Sequence, residues 1–202
     1  MAELARGPER SKLEMIASQH REQQECRLVK QVHGAFNYCV QVQFNDGEKW
    51  MIRFPKPGCS MDPISKVTNE FAIMQFIAQN TKIPTPRPIA SGVMQDDLAW
   101  LGAYIIMEFV DGQSLNEIIL DGEDNIKEDI SDSTIKHIYR QIASILLQLN
   151  SHAFPKIGSL SMVDGGDDTS WSIDRGPITL KSNEMERMGG VKSFRELMEC
   201  PY

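Results

Sequence analysis

The sequence predicts an α+β fold, because three patterns follow one another: a tight hairpin, an amphipathic helix leading to an apolar strand, and then helices. In the hairpin, Val40, Val42 and Phe44 alternate with Gln41 and Gln43, and Trp50, Ile52 and Phe54 alternate again after Asn45-Asp46-Gly47. Asp-Gly supplies the positive-φ residues of a tight turn, so residues 40–44 are expected to pair antiparallel with residues 49–54. A sheet-containing lobe then joins a helical one near Asp111-Gly112.

The elements follow in order along the chain. Residues 1–25 are polar, with Leu4, Leu13, Met15 and Ile16 as sparse apolar points, which fits a frayed or surface helix. Pro55 and Pro57 end the second hairpin strand, because proline cannot donate to a ladder. A helix is predicted next, with Ser65 as N-cap and Val67, Phe71, Met74 and Ala78 as its apolar stripe. Ile83-Pro84-Thr85-Pro86-Arg87-Pro88 cannot be helical and is read as extended as far as Ser91-Gly92. Tyr104 to Val110 is short, apolar and rich in β-branched residues, as expected of a strand covered on both faces. A short helix over 115–120 and a long one follow, the latter with Ile135, Ile138, Ile142, Ile145, Leu146 and Leu149 as a buried stripe. After Phe154 the order thins, and Asp164 to Asp168 reads as an acidic turn.

Composition limits the function classes. Of 202 residues, 41% are apolar and 24% charged, a globular balance. The formal charge of −7 argues against a nonspecific phosphate-backbone binder, which needs an excess of Lys and Arg along one face, so no nucleic-acid partner is expected. Cys26, Cys39, Cys59 and Cys200 are too scattered for a zinc site or disulfide framework, which points to a reducing compartment. The charged N-terminus has no leader-like apolar stretch and no segment reaches membrane-span length, so a soluble cytoplasmic protein without membrane association is expected.

Two places offer chemistry. The turn around Gly34, between Val32 and Tyr38, is small enough to bring backbone N–H groups to a phosphate, or is simply a turn. Arg53 stands on the returning strand facing away from Trp50, Ile52 and Phe54, and needs a partner. Glu70, on the following helix, is the candidate; the pair either presents Arg53 to phosphate oxygens or is an ordinary surface pair. Asp164, Asp167 and Asp168 match no cation-binding loop spacing and read as a solvated loop, so no metal site is assigned.

Gly34-Ala35-Phe36-Asn37, Trp50-Met51-Ile52-Arg53-Phe54-Pro55, Asn69-Glu70, Ile83-Pro84-Thr85-Pro86 and Ile106-Met107-Glu108-Phe109-Val110-Asp111-Gly112 together resemble the aminoglycoside phosphotransferase family, of protein-kinase-like fold, over about residues 27–160. The resemblance implies a kinase-like N-lobe over 27–110 after a polar extension (1–26), and an incomplete helical C-lobe over 111–202. It implies ATP or GTP with magnesium as cofactor and a small hydroxylated molecule as acceptor. Arg53 stands where the family contacts nucleotide phosphates, Glu70 where its acidic partner sits, and Gly34, Phe36 and Asn37 at the phosphate turn. Met107, Glu108 and Val110 match the hinge that takes the adenine edge.

The same resemblance exposes what is missing. The family's H-G-D-x-x-x-x-N loop and later Asp motif carry the catalytic base and metal ligands, yet His20, His33, His137 and His152 are none of them followed two residues later by Asp. No catalytic residue is therefore assigned, and the expectation is a relative truncated before the catalytic loop, inactive as written and binding nucleotide weakly or not at all. The alternatives are a noncatalytic kinase-like interaction protein, indicated if Ile135, Ile142 and Leu149 are exposed, and a gene fragment without independent function.

Overall fold

The computed structural model describes residues 8–56, 60, 62–123, 125–164 and 169–174. The chain runs α1 (Pro8–Gln19), β1 (Cys26–His33), β2 (Asn37–Phe44), β3 (Lys49–Pro55), α2 (Pro63–Asn80), β4 (Pro88–Val93), a 3-10 turn at Asp96–Leu101, β5 (Ala103–Glu108), α3 (Leu115–Ile119), α4 (Asp132–Asn150), β6 (Ser159–Asp164) and β7 (Thr169–Asp174). The first five strands form one antiparallel sheet in the order β1-β2-β3-β5-β4, while β6 and β7 pair separately.

The predicted hairpin is β2 with β3. Gln43 faces Lys49 in register, Gly47 adopts φ 93°, and Phe44 N–H reaches Glu48 O at 2.8 Å. Alternation then sorts the side chains onto two faces. Val40, Val42, Trp50, Ile52, Phe54 and Ile106 are buried on one face against Leu13, Ala17, Leu98 and Leu101. The opposite face carries Cys39, Gln41, Met51 and Arg53, and on it Ala103, Ile105 and Met107 of the inner strand β5 pack on Val67, Phe71 and Met74 of α2. The sheet thus lies between α1 with the 3-10 turn on one side and α2 on the other.

Several expectations change. Helix α1 is docked, with Leu13 and Ala17 fully buried, rather than frayed on the surface. Its charges are engaged at the bulge between Leu28 and Lys30 of the edge strand: Leu28 N–H donates to Glu14 Oε1 (2.7 Å), and Arg10 Nη2 donates to Leu28 O (2.6 Å). Two apolar residues four apart suffice to anchor a helix whose other faces are charged, which is why its pattern reads as weak. The N-cap of α2 is Asp62, which accepts from Ser65 N at 2.9 Å, with Pro63 at the first helical position. The strand predicted through Val110 ends at Glu108.

The largest difference is in α4, where no residue is buried: Ile142 is 45% exposed, Leu146 60% and Leu149 39%. Its periodicity is correctly helical, but its apolar stripe is only partly covered by the described residues: Ile135, Ile138 and Ile145 are half-buried and the rest exposed. Near its C-terminal end Lys82 N–H donates to Gln148 Oε1 (2.8 Å), and just beyond the helix the Phe76 ring of α2 meets His152, Phe154 and Trp171 at 5.1–5.5 Å. The β6-β7 hairpin was not expected, since the segment after Phe154 lacks the long alternation of β2 and β3. Among the described residues no helix is long and apolar enough to cross a membrane.

One glycine in the sheet is required by space. A Cβ on Gly92 would lie 2.7 Å from Tyr104 Oη and 2.9 Å from its ζ carbon, on a ring that is itself packed beside Phe54. Gly92→Ala is expected to destabilise the fold by about 1–3 kcal/mol in urea unfolding, as overpacking does. Gly112→Ala, where the added carbon meets nothing, should leave the midpoint unchanged and serves as the control.

Candidate nucleotide site

Arg53 is placed by β3 with Cys39 and Ile105 as its Cα partners on either side. Its Nη2 lies 2.6 Å from Glu70 Oε1, and the two side chains are 20% and 34% exposed. The sheet and α2 bring them together because both elements bury their apolar residues on the same seam, Ile105 against Val67 and Phe71. Yet Nη2 is a buried atom without a directed hydrogen bond, so the contact with Glu70 is close and ionic but leaves its N–H groups poorly matched.

Glu70 has a second cation. Lys66 Nζ donates to Glu70 Oε2 at 3.2 Å from one helical turn earlier, so one carboxylate faces two positive groups. Lys66 was not singled out from the sequence, although its i,i+4 spacing to Glu70 was the available signal.

Asn37 opens β2, two residues from Cys39 on the Arg53 face, and its Oδ1 is likewise buried without a partner. Gln41, two residues further along the same face, is only 6% exposed. Burial raises the Cys39 thiol pKa, while the neighbouring Arg53 pulls it the other way. The net direction is upward, which keeps a protonated thiol rather than a nucleophile beside Arg53.

The turn between β1 and β2 differs from the expected cradle in detail. Gly34 N–H is already taken by Asn37 O (2.9 Å), its φ is not left-handed, and a Cβ there would make only an ordinary 3.5 Å contact. Ala35 and Phe36 N–H are the groups that make no hydrogen bond among the described residues, and Phe36 stands 56% exposed at the tip.

Along β5, which pairs with β3, Met107 is half-buried against α2, and Glu108 closes the strand. Glu108 N–H donates to Arg87 O (2.9 Å) and Phe109 N–H to Lys49 O (3.0 Å), which ties the end of β5 to the residues beside it. Val110 N–H makes no hydrogen bond among the described residues, and its side chain is 62% exposed. Lys49 Nζ holds Asp111 at 2.9 Å just beyond it.

Two of the histidines pack as aromatic rings: His33 edge-on to Tyr38 and His152 edge-on to Phe76, each at 5.1 Å. Among the described residues no three His, Cys, Asp or Glu side chains gather at metal-binding distance. Asp167 and Asp168, together with Cys59 and Cys200, lie outside the described residues.

The arrangement is that of a protein with a sheet-borne cation steadied by a helix acid. The sequence pattern of the APH phosphotransferase enzyme family matches residues 29–174, more than half of the chain, and the chain belongs to that family. No curated protein sequence matches it. Among solved structures, the Rio2 kinase of Chaetomium thermophilum, determined as a complex with ADP, Mg2+ and phosphoaspartate, aligns at 14% identity and a TM-score of 0.43. The alignment covers 86% of this chain and 57% of that one.

Proposed function

We propose that the chain carries the nucleotide-cradling half of an ATP- or GTP-dependent phosphotransferase of small hydroxylated molecules. Arg53, steadied by Glu70, contacts the phosphates, and the turn from Gly34 through Phe36 to Asn37 lies over them. Met107, Glu108 and Val110 receive the base edge, where the sheet lobe (27–110) passes into the helices that follow Asp111. The observation that carries this reading is Arg53 itself, a mostly buried guanidinium whose Nη2 is close to Glu70 yet unsatisfied by it. Phosphate oxygens are the acceptors such a group takes in charge-assisted hydrogen bonds. The free Val110 N–H supports the base position.

Magnesium, when bound with the nucleotide, neutralises charge between the β- and γ-phosphates. The described residues do not supply a cluster of carboxylates for it, so no step here is routed through the ion. Cysteines dispersed through the sequence support a reducing, cytoplasmic setting.

Binding and turnover separate in this reading. Phosphoryl transfer depends on a carboxylate that orients the attacking hydroxyl, and none of the four histidines introduces an His-x-Asp segment. The purified chain is expected to hydrolyse or transfer ATP phosphate no faster than buffer with magnesium alone. Turnover above that background, lost in Arg53→Ala, would show that another carboxylate, foremost in the 164–168 loop, does this work.

Of the three residues whose exposure would indicate it, Ile142 and Leu149 are exposed and Ile135 is only partly so; with the exposed Leu146 they support a second reading, a noncatalytic interaction protein that offers this part of α4 to a partner. Sedimentation distinguishes it: a wild-type assembly abolished by Leu146→Glu supports that reading, and a monomer in both speaks against self-association.

A further inference from the structure

We propose that Lys66 is a second phosphate-binding cation, acting with Arg53 across Glu70. This rests on the nucleotide reading above and extends it to a residue on the helix. The geometry is a chain of three groups: Arg53 Nη2 lies 2.6 Å from Glu70 Oε1, and Lys66 Nζ lies 3.2 Å from Glu70 Oε2. Two positive charges therefore share one carboxylate, in a protein whose formal net charge is −7. The three-group cluster carries one uncompensated positive charge on the α2-facing side of β3, and an anion is its natural complement.

Local helix physics gives Lys66 little reason to be there beyond its weak pair with Glu70. It occupies the first turns of α2, where the backbone amides present the positive end of the helix dipole and acids, not lysines, are stabilising. The first turn of α2 contains no acid. The order Lys before Glu at i,i+4 is also the weaker orientation of such a pair. Asp62, the nearest other carboxylate along the chain, accepts from Ser65 N–H as the cap and forms no ion pair with Lys66 among the described residues. A residue that local stability disfavours, placed next to a cation with an unsatisfied N–H, is where a ligand contact is expected. When phosphate oxygens draw Arg53 away from Glu70, Lys66 keeps the carboxylate neutralised. Its remaining N–H groups then face the same oxygens.

The test titrates the 202-residue chain with ADP, adenosine and inorganic tripolyphosphate by calorimetry, comparing wild type with Lys66→Met and Lys66→Arg. Lys66→Met is expected to weaken ADP and tripolyphosphate about tenfold, the scale of one lost hydrogen bond to a charged group, and to leave adenosine unchanged. Lys66→Arg should restore most of the loss, and the salt dependence of ADP affinity should be shallower in Lys66→Met than in wild type. Equal ADP affinity in wild type and Lys66→Met overturns the proposal while the nucleotide reading stands. An equal loss for adenosine and ADP also overturns it, since that assigns Lys66 to holding α2. A wild-type chain that binds neither ADP nor tripolyphosphate overturns both.

Discussion

Phe54→Ala is expected to destabilise the protein by about 3–5 kcal/mol, the usual cost of truncating a buried aromatic ring. Phe54 is fully buried at the centre of the inner face, with Val40, Ile52 and Ile106 beside it and the Tyr104 ring centre 6.1 Å away. It is also one residue from Arg53, so its loss would loosen the strand that aims the guanidinium. A domain of this size is stable by roughly 5–15 kcal/mol, so the variant should be partly unfolded at mild denaturant concentrations. Phe36→Ala, at an exposed turn, should change stability by less than about 0.5 kcal/mol. Urea titrations followed by tryptophan fluorescence read both. A Phe54→Ala loss below about 1 kcal/mol would mean that the inner sheet face does not belong to the cooperative core.

The parts of this fold that were legible in the sequence are those where one local rule decides. Strict alternation around Asp46-Gly47 specified the β2-β3 hairpin, and the four- and three-residue recurrence from Val67 to Ala78 specified α2. Where the rule was tertiary, the reading failed. Leu13 and Ala17 are too few to predict docking, and only their contact with the sheet makes α1 part of the core. The same limit applies to α4, whose six apolar residues define a helical face but not what lies against it. The N-cap of α2 lies three residues before the expected Ser65, because Asp62 caps the helix and Pro63, which favours the first helical position, follows it directly. In the site, Arg53 and Glu70 were legible as a lone charge on an apolar strand and an acid on the next helix. Lys66 was not, because a Lys and Glu four apart on a helix is an ordinary surface pattern until a third charge is found across the pair.

Arg53→Ala is expected to reduce ADP affinity by at least about tenfold, while the fold changes little. The reasoning turns on what each partner keeps when the guanidinium is removed. Glu70 would otherwise be left as a half-buried unpaired carboxylate, but Lys66 Nζ remains 3.2 Å from its second oxygen, so the charge stays compensated. The Arg53–Glu70 pair is partly exposed, at 20% and 34%, which limits its contribution to stability to about 1 kcal/mol or less. Lys66 does not replace Arg53 toward a phosphate, because in the variant it is the one cation left to compensate Glu70 among the described ion pairs. Glu70→Gln should show the complementary pattern: a smaller loss in ADP affinity, because Arg53 keeps its charge but loses the group that orients it. Double-mutant analysis of Arg53→Ala with Glu70→Gln should then be strongly non-additive, the second substitution adding almost nothing to the first. Calorimetric titration with ADP and with adenosine distinguishes a phosphate contact from a general loosening of the cleft, because only ADP should respond. Unchanged ADP affinity in Arg53→Ala would reduce the residue to a strand charge paired with a helix. The site would then have to be sought away from β3.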